Sequence, residues 1–204
     1  MNMAVFFQKH SGKTANFVKK IYLKCFLRTN AKRIKYLKDA GARIGENVFL
    51  PDISIVGSEP YLVDIGDNVY FSGTTTKLFT HDGGVMQLKY MGITEKKFDL
   101  FGRIKIGSNC FIGNGVTILK NVTIGDNVII GAGAVVSKSI PSNSVVAGVP
   151  AKVVCSISEY YEKNKKNYDE TFGLNQYKKR EYIETNFDKY EKMRKKKEVF
   201  KNNG

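Results

Sequence analysis

His81 is one of two histidines in a chain of 204 residues, and it stands in Phe79-Thr80-His81-Asp82-Gly83-Gly84. An imidazole, with an ordinary pKa of about 6.5, can remove a proton from a hydroxyl near neutrality, so His81 is a candidate general base. It can equally be a hydrogen-bonded surface side chain, and position alone leaves both readings open. His10 lies in the N-terminal flank, where nothing around it suggests a role. A zinc site built from three histidines is excluded by the count. There is no Gly-x-Ser-x-Gly elbow to present a nucleophilic serine. Gly113-Asn114-Gly115 and Gly131-Ala132-Gly133 resemble pieces of phosphate loops, but the Gly-Lys-Ser that completes such a loop does not follow either. Cys25, Cys110 and Cys155 have neither metal nor disulfide spacing. Their odd number, with no visible secretory signal, points to a reduced cytoplasmic protein in which they act as small hydrophobes.

His81 sits where a strict period breaks. Ile106, Ile112, Ile118, Ile124, Ile130 and Val136 recur at every sixth residue, and earlier copies begin at Ile44 and Ile65. Six residues fit neither a helix nor a simple strand. They fit a chain that turns a corner at every repeat and stacks coil on coil, a hexapeptide parallel β-helix. In Ile124-Gly125-Asp126-Asn127-Val128-Ile129, Ile124 and Val128 point inward. Gly125, Asp126 and Asn127 occupy the corner, where glycine and asparagine tolerate backbone that other residues resist. Three such units make one coil, so residues 106–123 and 124–141 are expected to form two uninterrupted coils, with less regular ones before them. Residues 82–103 carry no hexapeptide phase. A long loop leaving a repeat body usually carries function or covers a site.

The net charge of +14 is uneven: +10 over residues 1–43, zero over 44–154 and +4 over 155–204. The expected organisation follows those boundaries: a basic helical N-terminal segment 1–43, the β-helix domain 44–154 with loop 82–103, and a helical extension 155–204. Residues 14–28 predict a helix, with Phe17, Val18, Ile21, Tyr22, Cys25 and Phe26 on one stripe and Lys19, Lys20 and Lys24 off it. Such a helix can pack on the open end of the repeats, as solenoids need caps, or lie on an anionic membrane surface. Ser156 and Glu159 have capping-box spacing and start a helix through Tyr160 and Tyr161. A second helix is predicted from about Tyr177 into the lysines at 195–197. No stretch is apolar enough to span a bilayer, and no nucleic-acid-binding signature accompanies the basic charge.

The repeats, the Thr80-His-Asp-Gly-Gly84 segment and the closing Val145-Val-Ala-Gly-Val-Pro-Ala-Lys152 together resemble the bacterial hexapeptide-repeat acetyltransferases, which include galactoside and maltose acetyltransferases. Gly57-Ser-Glu-Pro-Tyr-Leu62 and Ser158-Glu-Tyr-Tyr-Glu-Lys-Asn164 are most similar to the O-acetyltransferases of capsule, exopolysaccharide and O-antigen synthesis. The resemblance covers roughly residues 33–187. It implies a left-handed parallel β-helix, a homotrimer, and acetyl-CoA bound as co-substrate between neighbouring subunits, with no metal. It further implies that His81 is the catalytic base, that Ala132 offers backbone contacts to the pantetheine arm, and that Ser137 and Lys138 lie near the adenosine end. Asn114 matches a donor-site position that is often serine in the family, and Lys152 stands where a cation meets the CoA phosphates. Small residues at Ala132 and Ser137 also suit the coil, and Lys138 also suits a solvated corner. The implied reaction is direct transfer of acetyl to a sugar or polysaccharide hydroxyl. N-acetylation of an amino sugar, a detoxifying small-molecule acetylation and a non-catalytic assembly role are the alternatives.

Overall fold

The computed structural model describes residues 27–198 together with Val18, Tyr22 and Phe26. It divides into two compact units, Met1–Glu162 and Lys163–Gly204. In the first unit the six-residue period becomes short strands separated by turns. Sheet 1 holds β1 (Arg43–Ile44), β2 (Val63–Ile65), β5 (Ile104–Ile106) and β8 (Thr123–Ile124). Sheet 2 holds β3 (Tyr70–Phe71), β6 (Phe111–Ile112), β9 (Ile129–Ile130), β11 (Ser144–Ala147) and β12 (Lys152–Ser156). Sheet 3 holds β4 (Lys77–Leu78), β7 (Thr117–Ile118) and β10 (Val135–Val136). From β2 to β10 the chain visits the sheets in the order 1, 2, 3, and each strand pairs in parallel with its counterpart one coil away.

The inward positions form one core. Ile106 lies opposite Ile124, Ile112 opposite Ile130 and Ile118 opposite Val136, and each is at most 1% exposed. Burying one such side chain is worth roughly 1.5–3 kcal/mol, so the period is also the main source of stability. The regular coil expected over 106–123 is present, whereas the next repeats after 16 residues, since Ile124 bridges Ile140 and Ile130 lies opposite Val146.

The turns differ in how they hold their backbone. Between sheets 1 and 2, Asn47, Asn68, Asn109, Asn127 and Asn143 all have positive φ. Each of the first four donates through Nδ2 to Oδ1 of the asparagine in the next coil, at 2.9–3.0 Å. Between sheets 2 and 3 the positive-φ positions are Gly73, Gly115 and Gly133, with no such ladder. Between sheets 3 and 1 the longest interruption follows β4. Asn68 pairs with Asn109 across 41 residues, whereas Asn109 pairs with Asn127 across 18. The excess is the off-phase loop, which contains a 3-10 turn (Gly83–Met86) and the short helix α2 (Gln87–Tyr90).

The ends of the stack are covered. Helix α1 (Asn30–Asp39) begins at the Thr29 cap and buries Leu37. Its Asn30 donates to Val48 O at 2.7 Å and accepts from Leu50 N–H at 2.8 Å, and Arg33 Nε donates to Leu50 O at 2.8 Å. These bonds occupy backbone groups that another strand would otherwise pair. The sequence pattern did not single out α1. Of the helix expected over 14–28, Val18, Tyr22, Phe26, Leu27 and Arg28 are described, and the first three are helical. It does not extend to Arg28, because Leu27 and Arg28 lead into the Thr29 cap of α1. At the other end β12 turns back antiparallel to β11, a strand that the hexapeptide phase does not predict.

Ser156 and Glu159 form the expected capping box: Ser156 N–H donates to Glu159 Oε2 at 2.7 Å, and Glu159 N–H donates to Ser156 Oγ at 3.2 Å. Helix α3 (Ile157–Asn164) follows. The single C-terminal helix expected from Tyr177 is two, α4 (Gln176–Thr185) and α5 (Phe187–Glu198). Asn186 breaks it by donating from its side chain to Tyr182 O at 2.8 Å, a local bond that competes with the helical ladder.

Candidate active site

His81 leaves the end of β4 just before the off-phase loop. Its Nδ1 is 2.9 Å from Glu59 Oε2. The same oxygen accepts from Thr80 Oγ at 2.5 Å, and the other carboxylate oxygen accepts from Ser58 Oγ at 2.6 Å. Glu59 reaches this place because Gly57, at φ +77°, turns the chain inward and Pro60 starts a 3-10 turn behind it. The carboxylate side chain is 13% exposed and the imidazole 43%. Burial by itself raises the Glu59 pKa. Hydrogen bonds from Ser58, Thr80 and His81, with the charge interaction with His81, outweigh it and hold the group below its ordinary value.

The loop beyond the histidine is tied at both roots. Asp82 accepts from Gly84 N–H at 2.9 Å and lies 3.5 Å from Lys120 Nζ, so it shapes the loop entry. At the exit, Phe101 forms an antiparallel bridge with His81 and meets its ring edge-on, with centroids 6.3 Å apart. Between these roots Tyr90, Met91 and Ile93 are each about two-thirds exposed. Lys97 Nζ lies 5.1 Å from the centre of the Tyr90 ring.

The other expected site residues fall on two edges of sheet 3. Asn114 and Ala132 occupy the glycine turn between sheets 2 and 3, in successive coils. Asn114 O accepts from Gly133 N–H at 2.9 Å, and Asn114 Oδ1 accepts from Thr75 Oγ at 2.7 Å. A Cβ at Gly113 would come within 2.5 Å of Ala132 N, so glycine permits this close stacking of backbone. One coil further, a Cβ on Gly131 would meet Ala147 at 3.2 Å, and Ala147 is the register partner of Lys152. Gly148 and Ala151 close this end by hydrogen bonding to Val135 at 3.1 and 2.8 Å. Asn114, Ala132 and Lys152 therefore climb one edge. His81, Lys120, and Ser137 with Lys138 follow β4, β7 and β10 along the other edge.

This arrangement suits an extended anionic ligand carrying amide groups. Ala132 is exposed, and its N–H has no partner among the described residues. Lys138 and Lys152 are exposed cations at the ends of the two edges. Among the described residues no group of three or more His, Cys, Asp or Glu could hold a metal ion. Sequence reasoning missed Glu59 and Lys120. The signal for Glu59 is an acidic residue in the off-phase Gly57-Ser-Glu-Pro60 segment.

Residues 103–138 match the family described as bacterial transferase hexapeptide (six repeats). Protein CapG of Staphylococcus aureus is 43% identical over 175 residues, covering 83% of this chain and 96% of that protein. Galactoside O-acetyltransferase of Escherichia coli strain K12 is 38% identical over 128 residues, 60% of each chain. A solved galactoside acetyltransferase in complex with coenzyme A superposes with a TM-score of 0.50 at 25% identity, covering 85% of each chain. The chain belongs to the bacterial hexapeptide-repeat transferases, and it is an acyltransferase of that family.

Proposed function

We propose that this protein is an acetyl-CoA-dependent O-acetyltransferase acting on a sugar hydroxyl in bacterial surface polysaccharide synthesis, with His81 as general base. The observation that carries the reading is the His81 ring, held through Nδ1 by the mostly shielded Glu59 carboxylate while Nε2 has no partner among the described residues. The family membership, the likeness to CapG and the coenzyme A complex of the galactoside acetyltransferase support the donor and the acceptor class.

Acetyl-CoA supplies a thioester whose carbonyl carbon the acceptor oxygen attacks and whose sulfur leaves. His81 Nε2 takes the hydroxyl proton as the new C–O bond forms, and gives it up as the thiol departs. The backbone N–H of Ala132 and the Asn114 side chain hold the amide-bearing arm. Ser137, Lys138 and Lys152 face its nucleotide end. A lost general base costs on the order of 10²–10⁴-fold, and the remaining acceleration comes from holding both substrates in line.

The coils are left-handed in this reading, and three copies assemble side by side. Asn114, Ala132 and Lys152 lie along one edge of sheet 3, and His81, Ser137 and Lys138 along the other, so neighbouring copies would join the two half-sites. The enzyme works in the cytoplasm, where Cys110 and Cys155 remain thiols. No helix among the described residues is long and apolar enough to cross a membrane. In this reading the basic N-terminal segment makes any contact with the inner membrane surface.

The test is acetyl transfer to oligosaccharide fragments of the producing cell's surface polysaccharide, followed by mass spectrometry. Wild type should add acetyl as an alkali-labile ester, and His81→Ala should lose roughly 10²–10⁴-fold in turnover while keeping fold and acetyl-CoA affinity. Near-wild-type turnover in His81→Ala would remove the base assignment. An alkali-stable amide product would move the activity to amino sugars.

A further inference from the structure

We infer that Glu59 is the positioning residue for His81, fixing the imidazole in the Nδ1–H tautomer so that Nε2 carries the free lone pair. The inference rests on the reading of His81 as the base and extends it to a residue 22 positions away in sequence.

An ionised carboxylate only accepts hydrogen bonds. At 2.9 Å from Glu59 Oε2, His81 Nδ1 must therefore be the donor, and in the neutral ring the only proton is then on Nδ1. Glu59 cannot easily turn away. Thr80 Oγ donates to the same oxygen and Ser58 Oγ to the other, so both ends of the carboxylate are held. Thr80 is 1% exposed and is the chain neighbour of His81. The same strand end thus fixes the acid and presents the base. Once the ring has accepted a proton, the carboxylate faces a full positive charge at hydrogen-bond distance. The net lowering of the Glu59 pKa agrees with a group that stays ionised in this place.

The alternative acid at the ring would be Asp82, but its carboxylate is engaged with Gly84 N–H and Lys120. Phe101 limits the ring from a third side without a hydrogen bond. Two hydroxyl donors, one ring nitrogen and an aromatic edge therefore define where the imidazole sits. The arrangement follows the general logic of an acid that orients a catalytic histidine without taking the proton itself.

The experiment combines kinetics with nitrogen-15 NMR of the histidine rings. The chain has only two histidines, so a histidine-labelled sample shows two rings, and His81→Ala removes one of them for assignment. The His81 ring in wild type should show the Nδ1–H pattern, and Glu59→Ala should lose it. Both Glu59→Ala and the isosteric Glu59→Gln should lower kcat by about tenfold or more, bounded by the roughly 10²–10⁴-fold loss of the base itself. KM for acetyl-CoA should stay unchanged, and Glu59→Asp should recover part of kcat. Glu59→Gln and the wild-type spectrum keep the test open should Glu59→Ala fold poorly. A wild-type ring protonated on Nε2 would overturn the inference, as would wild-type kcat in Glu59→Gln. A loss confined to KM or to the folded fraction would assign Glu59 a structural role only. If His81→Ala is inactive while the Glu59 variants are normal, only this inference falls. If His81→Ala is itself active, the base reading falls with it.

Discussion

Two turns of the same coil meet the same backbone demand in opposite ways. Both need residues at positive φ, the left-handed region that most side chains resist. The turn between sheets 1 and 2 uses asparagines, and four side-chain bonds run from coil to coil through Asn47, Asn68, Asn109, Asn127 and Asn143. The turn between sheets 2 and 3 uses Gly73, Gly115 and Gly133, and it leaves the Ala132 N–H without a partner among the described residues. One turn satisfies its own polar groups and is scaffold. The other leaves a backbone donor uncovered. Glycine and asparagine are interchangeable for the bend, and they differ in what they offer to the surroundings.

The sharpest way to break this contrast is Asn127→Ala. It removes the bonds to Asn109 and Asn143 and leaves alanine at φ 56°. The expected cost is about 1–3 kcal/mol, read as a lower melting temperature with acetyl-CoA affinity intact in the folded protein. Asn127→Gly keeps the bend and should cost less. Equal losses in the two variants would show that the ladder contributes nothing beyond conformation. On the glycine side the outcome should invert. Ala132→Phe adds an exposed ring, so stability should change by no more than about 0.5 kcal/mol. The apparent KM for acetyl-CoA should rise by about tenfold or more, a loss of roughly 1.4 kcal/mol in binding. A variant that binds acetyl-CoA normally would take Ala132 out of the donor site.

Lys152→Ala probes the far end of the same edge, and the expected loss is smaller because the cation is exposed. A few-fold weaker binding of coenzyme A, with no change for a pantetheine analogue lacking the nucleotide, would place this lysine near the phosphates. Equal losses for both ligands would remove it from that role. The smallest effect concerns acidity at the other edge. The Glu59 pKa is lowered from its ordinary 4.5, so its stabilising contribution is complete above that value and is lost as pH falls through the lowered one. The difference in melting temperature between wild type and Glu59→Gln should therefore be constant near neutrality and shrink in acid. A difference that grows on acidification would contradict the sign.

The repeat body was legible because every coil writes the same inward residue at the same phase, and burial rewards each copy equally. His81 was conspicuous in the sequence because it stands where that phase stops. Glu59 was not, since a carboxylate 22 residues earlier becomes the neighbour of His81 only once the coil is wound. Strand β12 was missed because Lys152–Ser156 pairs by antiparallel register and follows no six-residue rule. The break between α4 and α5 turns on a single side-chain bond from Asn186, which amphipathic spacing does not encode.

The interrupted turn has an energetic side of its own. Because pairing resumes in register at Ile104–Ile106, the excursion enters the fold as one larger ring, 41 residues around where the coil before it has 21 and the coil after it 18. Chain-closure entropy grows only with the logarithm of ring size, so the enlargement costs about 0.7 kcal/mol. Segments of other lengths could be exchanged at this seam for fractions of that cost. Such exchanges would alter what flanks His81 and leave the paired strands of the three sheets untouched.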